Sequence, residues 1–218
     1  MLAGFAAANI MAIVLVWLVL SQRSDAPPMI QGILLQQARP LPAFELLAHD
    51  DTVFANANLQ GRWHLVSYGF TTCPDVCPTT LSQLASFTDA LQELGMNDLQ
   101  VLFYTVDHRR DTTRQMAAYV PYFSADFIGL THEDNSDNPH LPFEQGLGIV
   151  AQLVPLVGPE YDPADNEYQV NHGVTLFLLN PRGELQAIFE PHSPMPGQHR
   201  FDPDQLLKDY LAVREHLG

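Results

Sequence analysis

Residues 63–94 turn from a hydrophobic strand into an amphipathic helix, and both cysteines of the chain stand at the corner. Residues 63–70 read as a buried strand. Leu81, Leu84, Phe87, Leu91 and Leu94 then recur at three- and four-residue steps, closed by Gly95. This periodicity predicts a helix over 79–94. Between them runs Phe70-Thr71-Thr72-Cys73-Pro74-Asp75-Val76-Cys77-Pro78-Thr79-Thr80-Leu81. Backbone N–H groups at a helix start favour negative charge, so a thiolate is stabilised there as nucleophile or metal ligand. Pro74 and Pro78 fit only the lead-in or first turn, where they stiffen the loop. Two cysteines are too few for a disulfide scaffold. A close pair reads as redox or metal chemistry, with a local disulfide or two buried thiols as the plain alternative.

The remaining elements follow in order. Residues 1–20 carry no charged side chain and, at about 1.5 Å per residue, just span a hydrocarbon core of about 30 Å. With no basic n-region and no clear cleavage site, they read as an uncleaved transmembrane anchor rather than a signal peptide. Residues 21–40, with Pro27, Pro28 and Pro40, read as a tether. Residues 41–218 are enough for one domain. Two short strand-like runs within 44–54 flank Asp50 and Asp51, an N-terminal hairpin. A buried strand over 99–106 ends at Asp107. A helix over 112–120 has Asp111 as expected N-cap and Pro121 as terminator. A strand follows over 125–130, then a polar loop over 131–140. Residues 141–153 are weakly helical, and 155–167 read as a loop or loose hairpin. A buried strand over 173–179 turns through Asn180-Pro181-Arg182-Gly183 into a partner over 184–190. After a loop over 191–200, a helix over 203–216 is capped by Asp202. Alternating β and α elements with a late antiparallel hairpin predict an α/β fold, a thioredoxin-like mixed sheet flanked by helices.

Charge narrows the partners. With 25 acidic against 10 basic residues the net charge is −15. That argues against nucleic acid and against docking on an anionic membrane surface. It fits a well-dispersed domain with a cationic ligand or basic partner.

A second anchor is Tyr168-Gln169-Val170-Asn171-His172, just before the strand over 173–179. In a thioredoxin-like sheet the start of this strand lies beside the cysteine loop, so His172 is expected to face Cys73 and Cys77. Two thiolates and an imidazole suit copper: the sulfurs favour Cu(I), and the nitrogen lets Cu(II) bind. Zinc accepts the same donors but usually wants a fourth. The plain alternative is a hydrogen-bonded strand-end histidine.

These motifs together resemble the Sco/SenC copper-chaperone family. The resemblance rests on residues 70–81, on Thr105-Val106-Asp107 with Arg110-Asp111-Thr112, and on residues 168–172 followed by Asn180-Pro181-Arg182-Gly183. It runs from about residue 40 to the C-terminus. It implies copper held by Cys73, Cys77 and His172 in a domain anchored by one N-terminal helix. It also implies delivery of copper to, or reduction of thiols in, the copper-site subunit of cytochrome c oxidase, with a thiol reductant or another copper chaperone as further partner. Arg23 follows the apolar span and no basic residue precedes it, which by charge alone points to a cytoplasmic domain. The resemblance implies the opposite, the periplasmic side of a bacterial inner membrane, and is preferred. Departures from the family pattern are Asn171 where Asp usually precedes the histidine, His108 where Pro usually follows Val-Asp, and a divergent segment over 131–167 where a partner would dock.

The competing function is a thiol–disulfide oxidoreductase with Cys73 as nucleophile and Cys77 as resolver. The three-residue spacing and the His172-Gly173 step count against it. A permanently bridged structural module is the third reading. His192, Met195 and His199, and likewise His132 and His140 among Glu133, Asp134, Asp137 and Glu144, read as solvated loops before second metal sites. Asp75 reads as loop support. Asp107 and Asp111 read as strand-end and cap residues that frame the site.

Overall fold

Every residue of strand β4 (Trp63–Gly69) is buried. In the computed structural model, which describes residues 26–132, 141–155, 168–193 and 199–218, this strand lies inside an eight-stranded mixed sheet. The strands are β1 (Gly32–Pro40), β2 (Glu45–Ala48), β3 (Val53–Ala55), β4, β5 (Leu99–Thr105), β6 (Ile128–Thr131), β9 (Leu176–Leu179) and β10 (Glu184–Phe189), in the spatial order β1-β10-β9-β4-β5-β6-β2-β3. β4, β5 and β6 run parallel; every other pairing is antiparallel. A separate two-stranded hairpin joins β7 (Ala151–Pro155) to β8 (Tyr168–His172).

Side chains alternate across the sheet, so β4 feeds two cores. Trp63 and Leu65 join Leu81, Leu84 and Phe87 of helix α1 (Val76–Glu93), Met116 of α2 (Thr113–Tyr119), and Tyr210 and Val213 of α4 (Pro203–Leu217). Val66 and Tyr68 face the opposite core with Phe44, Leu46, Tyr168 and Phe143 of α3 (Leu141–Leu147). A strand covered on both faces needs no polar alternation, which is why 63–69 shows no solvent-facing side, although His64 and Ser67 are buried within it.

Several boundaries differ from expectation. Residues 32–40, assigned to the tether, form β1 on β10, with Gly32 opposite Phe189 and Pro40 opposite Glu184. Leu34 and Leu35 touch the two cores from opposite faces. An edge strand has one neighbour and tolerates Pro and polar residues, so its pattern is faint. The weak helix over 141–153 is α3 followed by β7, with Gly148 at φ +83° ending the helix. The strand over 173–179 shortens to β9, and His172 ends β8 instead of opening that strand. Thr112 caps α2, accepting from the Gln115 N–H; Asp111 is buried and used elsewhere. The β2–β3 hairpin forms as expected, its turn carried by Asp51 at φ 65° and by Asp50, whose Oδ1 accepts from Thr52. Asp202 caps α4. The apolar segment 1–20 lies outside the described residues; among those described, no helix is long and apolar enough to cross a membrane.

Candidate metal centre

Helix α1 begins at Val76, so Cys77 sits in its first turn and Cys73 on the loop before it. Pro78 also lies in that turn, where its missing N–H leaves no bond unmade. The Cys77 N–H donates to Cys73 Sγ at 3.4 Å. The start of the loop is tied down by Asp111. Its carboxylate accepts from the Thr71 N–H at 2.8 Å, from Thr71 Oγ1, and from Thr105 Oγ1 at 2.6 Å. Burial pushes the Asp111 carboxyl up from its ordinary value, against these three donors. The aspartate read as a cap is thus a brace between β5 and the cysteine loop.

The third group arrives from the end of β8. His172 Nε2 lies 3.6 Å from Cys77 Sγ. One donor atom from each of Cys73, Cys77 and His172 falls within 4.8 Å of the other two, the only cluster of three or more such groups among the described residues. His172 Nδ1 donates to the Gly173 carbonyl at 2.7 Å, since a carbonyl only accepts. That leaves the Nε2 lone pair facing the sulfurs. The imidazole is wedged edge-on between Tyr68 and Phe70, with ring centroids 5.7 and 5.6 Å away. With metal–ligand bonds of about 2.0–2.3 Å, three donors around one ion sit about 3.5–4 Å apart; the observed spread needs only a small contraction.

The two sulfurs differ. The Cys73 thiol is pulled down to about 4, first by a hydrogen bond from Cys77 and, against the opposing effect of burial, by the backbone N–H groups of Asp75 and Cys77. Cys77 is pushed up, first because it donates to Cys73 and then by burial. Cys73 also lines an open cleft of about 630 Å3 shared with Pro74, Asp75, His172, His199 and Arg200. Brief iodoacetamide treatment of the reduced, metal-free protein at neutral pH is therefore expected to alkylate Cys73 about tenfold faster than Cys77. Fragment mass spectrometry reads the order; equal labelling would mean the two sulfurs are equally presented.

Two glycines escaped the sequence reading. A Cβ on Gly69 would lie 2.5 Å from Cys77 Sγ, and one on Gly173 2.5 Å from the Tyr68 hydroxyl. Both let a site side chain pass against bare backbone. Nothing in a single sequence separates them from turn glycines. Of the other candidates, Asp75 is exposed on the cleft and makes no cap hydrogen bond. Asn171 is exposed. His192 and His199 are exposed beside the bridge between His192 and Arg200, while Met195 lies outside the described residues. His132 is buried, its ring 3.9 Å from that of His108 and stacked on Tyr104. Glu144 accepts from the Tyr104 hydroxyl. His140, Glu133, Asp134 and Asp137 lie outside the described residues.

Residues 34–199 match the SCO1/SenC family. The chain belongs to that family. A putative copper-binding protein of Stutzerimonas stutzeri is 34% identical over 177 residues, covering 80% of each chain. The bovine mitochondrial SCO2 homolog is 36% identical over 141 residues, 64% of this chain but 50% of its own; the chain thus spans about half the length of that relative. Among solved structures, Arabidopsis thaliana ScoI with copper bound matches with a TM-score of 0.64 and 26% identity, over 80% of this chain and 98% of that one. Apo Sco1 from Thermus thermophilus matches with a TM-score of 0.63 and 26% identity, over 87% and 96%. The mixed sheet flanked by helices is thus the thioredoxin-like Sco fold. Sco homologues bind copper, and the donor set described above suits that ion: two soft sulfurs with one imidazole.

Proposed function

We propose that this Sco protein is a membrane-anchored copper chaperone in which Cys73, Cys77 and His172 hold the ion, serving the copper site of cytochrome c oxidase during assembly. The observation that carries the reading is the meeting of the three donor atoms within 4.8 Å, from elements almost a hundred residues apart in the chain. Family membership supports the cargo and the destination. The apolar span over 1–20 supports an anchor, and family membership supports placing the domain on the periplasmic side.

Copper is the cargo, and the protein's own residues control its entry and exit. Cys73 is ready as a thiolate, whereas Cys77 must give up a proton as the ion binds. Of the two sulfurs, Cys73 lines the cleft; His172 is half-buried there. Copper would leave by ligand exchange with incoming partner sulfurs through the cleft that Cys73 and His172 line. A Cys73–Cys77 disulfide excludes copper; restoring the dithiol takes two electrons and two protons from an external thiol reductant.

The experiment is an anaerobic Cu(I) titration of the reduced full chain. One copper per chain is expected. Either Cys73→Ser or Cys77→Ser should abolish loading, and His172→Ala should weaken it about a hundredfold, roughly 2.7 kcal/mol. Normal loading of His172→Ala would remove the imidazole from the site. The split between the two thiols favours one further reading, a thiol–disulfide oxidoreductase with Cys73 attacking and Cys77 resolving. Many turnovers per minute on a disulfide substrate, blocked by bound copper, would favour it.

A further inference from the structure

The histidine of the site rides on a hairpin that is not part of the main sheet. Among the described strands β7 and β8 pair only with each other, and residues 151–154 of β7 are exposed. Tyr168 and Val170 of β8 are buried in the core, but a hairpin held by so few side chains opens locally at low cost. Yet His172 has to keep Nε2 against two sulfurs that belong to the main body.

Tyr168, at the other end of β8, is where the hairpin is fastened. It is buried, and its hydroxyl donates to Asp107 Oδ1. Asp107 is 1% exposed and follows the end of β5. Its second oxygen, Oδ2, accepts from Arg110 Nε. The same guanidinium donates through Nη1 to the Tyr168 carbonyl at 3.3 Å and lies over the Tyr168 ring, 4.1 Å from its centroid. It also reaches the Phe70 ring at 5.9 Å, and Phe70 packs edge-on against His172. Hydroxyl, carboxylate, guanidinium and backbone carbonyl thus close on themselves, joining the β5 end to the β8 start. Arginine's planar fork is needed for this, since it must bond and stack at once.

We propose that Asp107, Arg110 and Tyr168 form a latch that docks the β7–β8 hairpin onto the main body and thereby positions His172 over the two cysteines. The three are positioning residues, and the consequence for copper rests on the function proposed above. The hydrogen bonds of the latch run between the hairpin and the loop after β5, and its ring contact reaches Phe70 just past β4, outside the central β4–β5 ladder. Opening it should therefore free the hairpin without loosening the sheet.

The test compares the full chain in detergent with Tyr168→Phe, which removes only the hydroxyl, and Arg110→Lys, which keeps the charge but not the fork. Amide hydrogen exchange of the copper-free proteins is expected to quicken at least tenfold at residues 151–154 and 168–172. Exchange in β4 and β5 should stay within a factor of two. On Cu(II) loading, the imidazole nitrogen coupling in the electron paramagnetic resonance spectrum should fall toward that of His172→Ala, and copper dissociation should quicken about tenfold. Both thiols should remain titratable. Unchanged hairpin exchange, or exchange rising equally in β4 and β5, would overturn the latch. Should the wild type take up no copper while Tyr168→Phe still frees the hairpin, the latch stands and the copper reading fails.

Discussion

Gly69→Ala is expected to disable the site while leaving all three donor residues in place. The new methyl would lie 2.5 Å from Cys77 Sγ, with Phe103 Cε2 at 3.4 Å closing the other side. Real contacts of this kind do not fall below about 3 Å, so the sulfur, its helix turn or the strand must move. Overpacking of a buried position costs about 1–3 kcal/mol. Because Cys77 sits in the first turn of α1, any such displacement changes its spacing from Cys73 and His172. Copper affinity should fall on the order of a hundredfold, roughly 2.7 kcal/mol. A competition titration with a Cu(I) chelator, set beside urea unfolding, reads both effects. Lower stability with unchanged affinity would mean that the strand yielded and the sulfur did not.

Acid should destabilise the domain through a histidine far from the copper chemistry. His64 on β4 is 1% exposed, and its Nδ1 has no hydrogen-bond partner. Burial, and then the neighbouring positive charge of Arg62, hold its folded value down to about 4 from 6.5. Between those values the unfolded chain binds the proton and the folded one does not, so stability rises with pH there. The contribution is therefore fully present above about pH 6.5 and lost as pH falls toward 4, about 3 kcal/mol in all at roughly 1.4 kcal/mol per pH unit. Asp111, whose value is raised by burial, opposes this weakly at the acid end, so the test is a difference. Urea midpoints from pH 7 to 4 should fall steeply in the wild type and much less in His64→Phe. Parallel slopes would mean that other groups carry the acid sensitivity.

The regular elements were readable where one physical signal dominated. The heptad-like spacing in α1, the mostly apolar run of β4 and the Asp turn of the first hairpin each have a local cause that a linear chain displays. The strand β1 was missed because an edge position makes few demands on sequence, and Gln36, Gln37 and Pro40 conceal the two leucines that reach the cores. The end of α3 and the start of β7 were merged because both are short and partly apolar. Asp111 read as a helix cap for a good local reason, a carboxylate just ahead of a helix; its true partners, Thr71 and Thr105, are brought to it by sheet pairing.

By itself, the order of residues determined the chemistry available: two sulfurs at a helix start, an imidazole downstream, an acidic surface and the succession of strands and helices. Those are properties of side-chain type and short-range spacing. The expected sheet already put His172 beside the cysteines, but tertiary structure alone decided how the groups meet. His172 reaches Cys77 because β8 folds back as a hairpin and is fastened at Tyr168. The two sulfurs differ because one donates to the other against the bare backbone of Gly69. Such contacts depend on chain segments distant in sequence, and no local pattern encodes them.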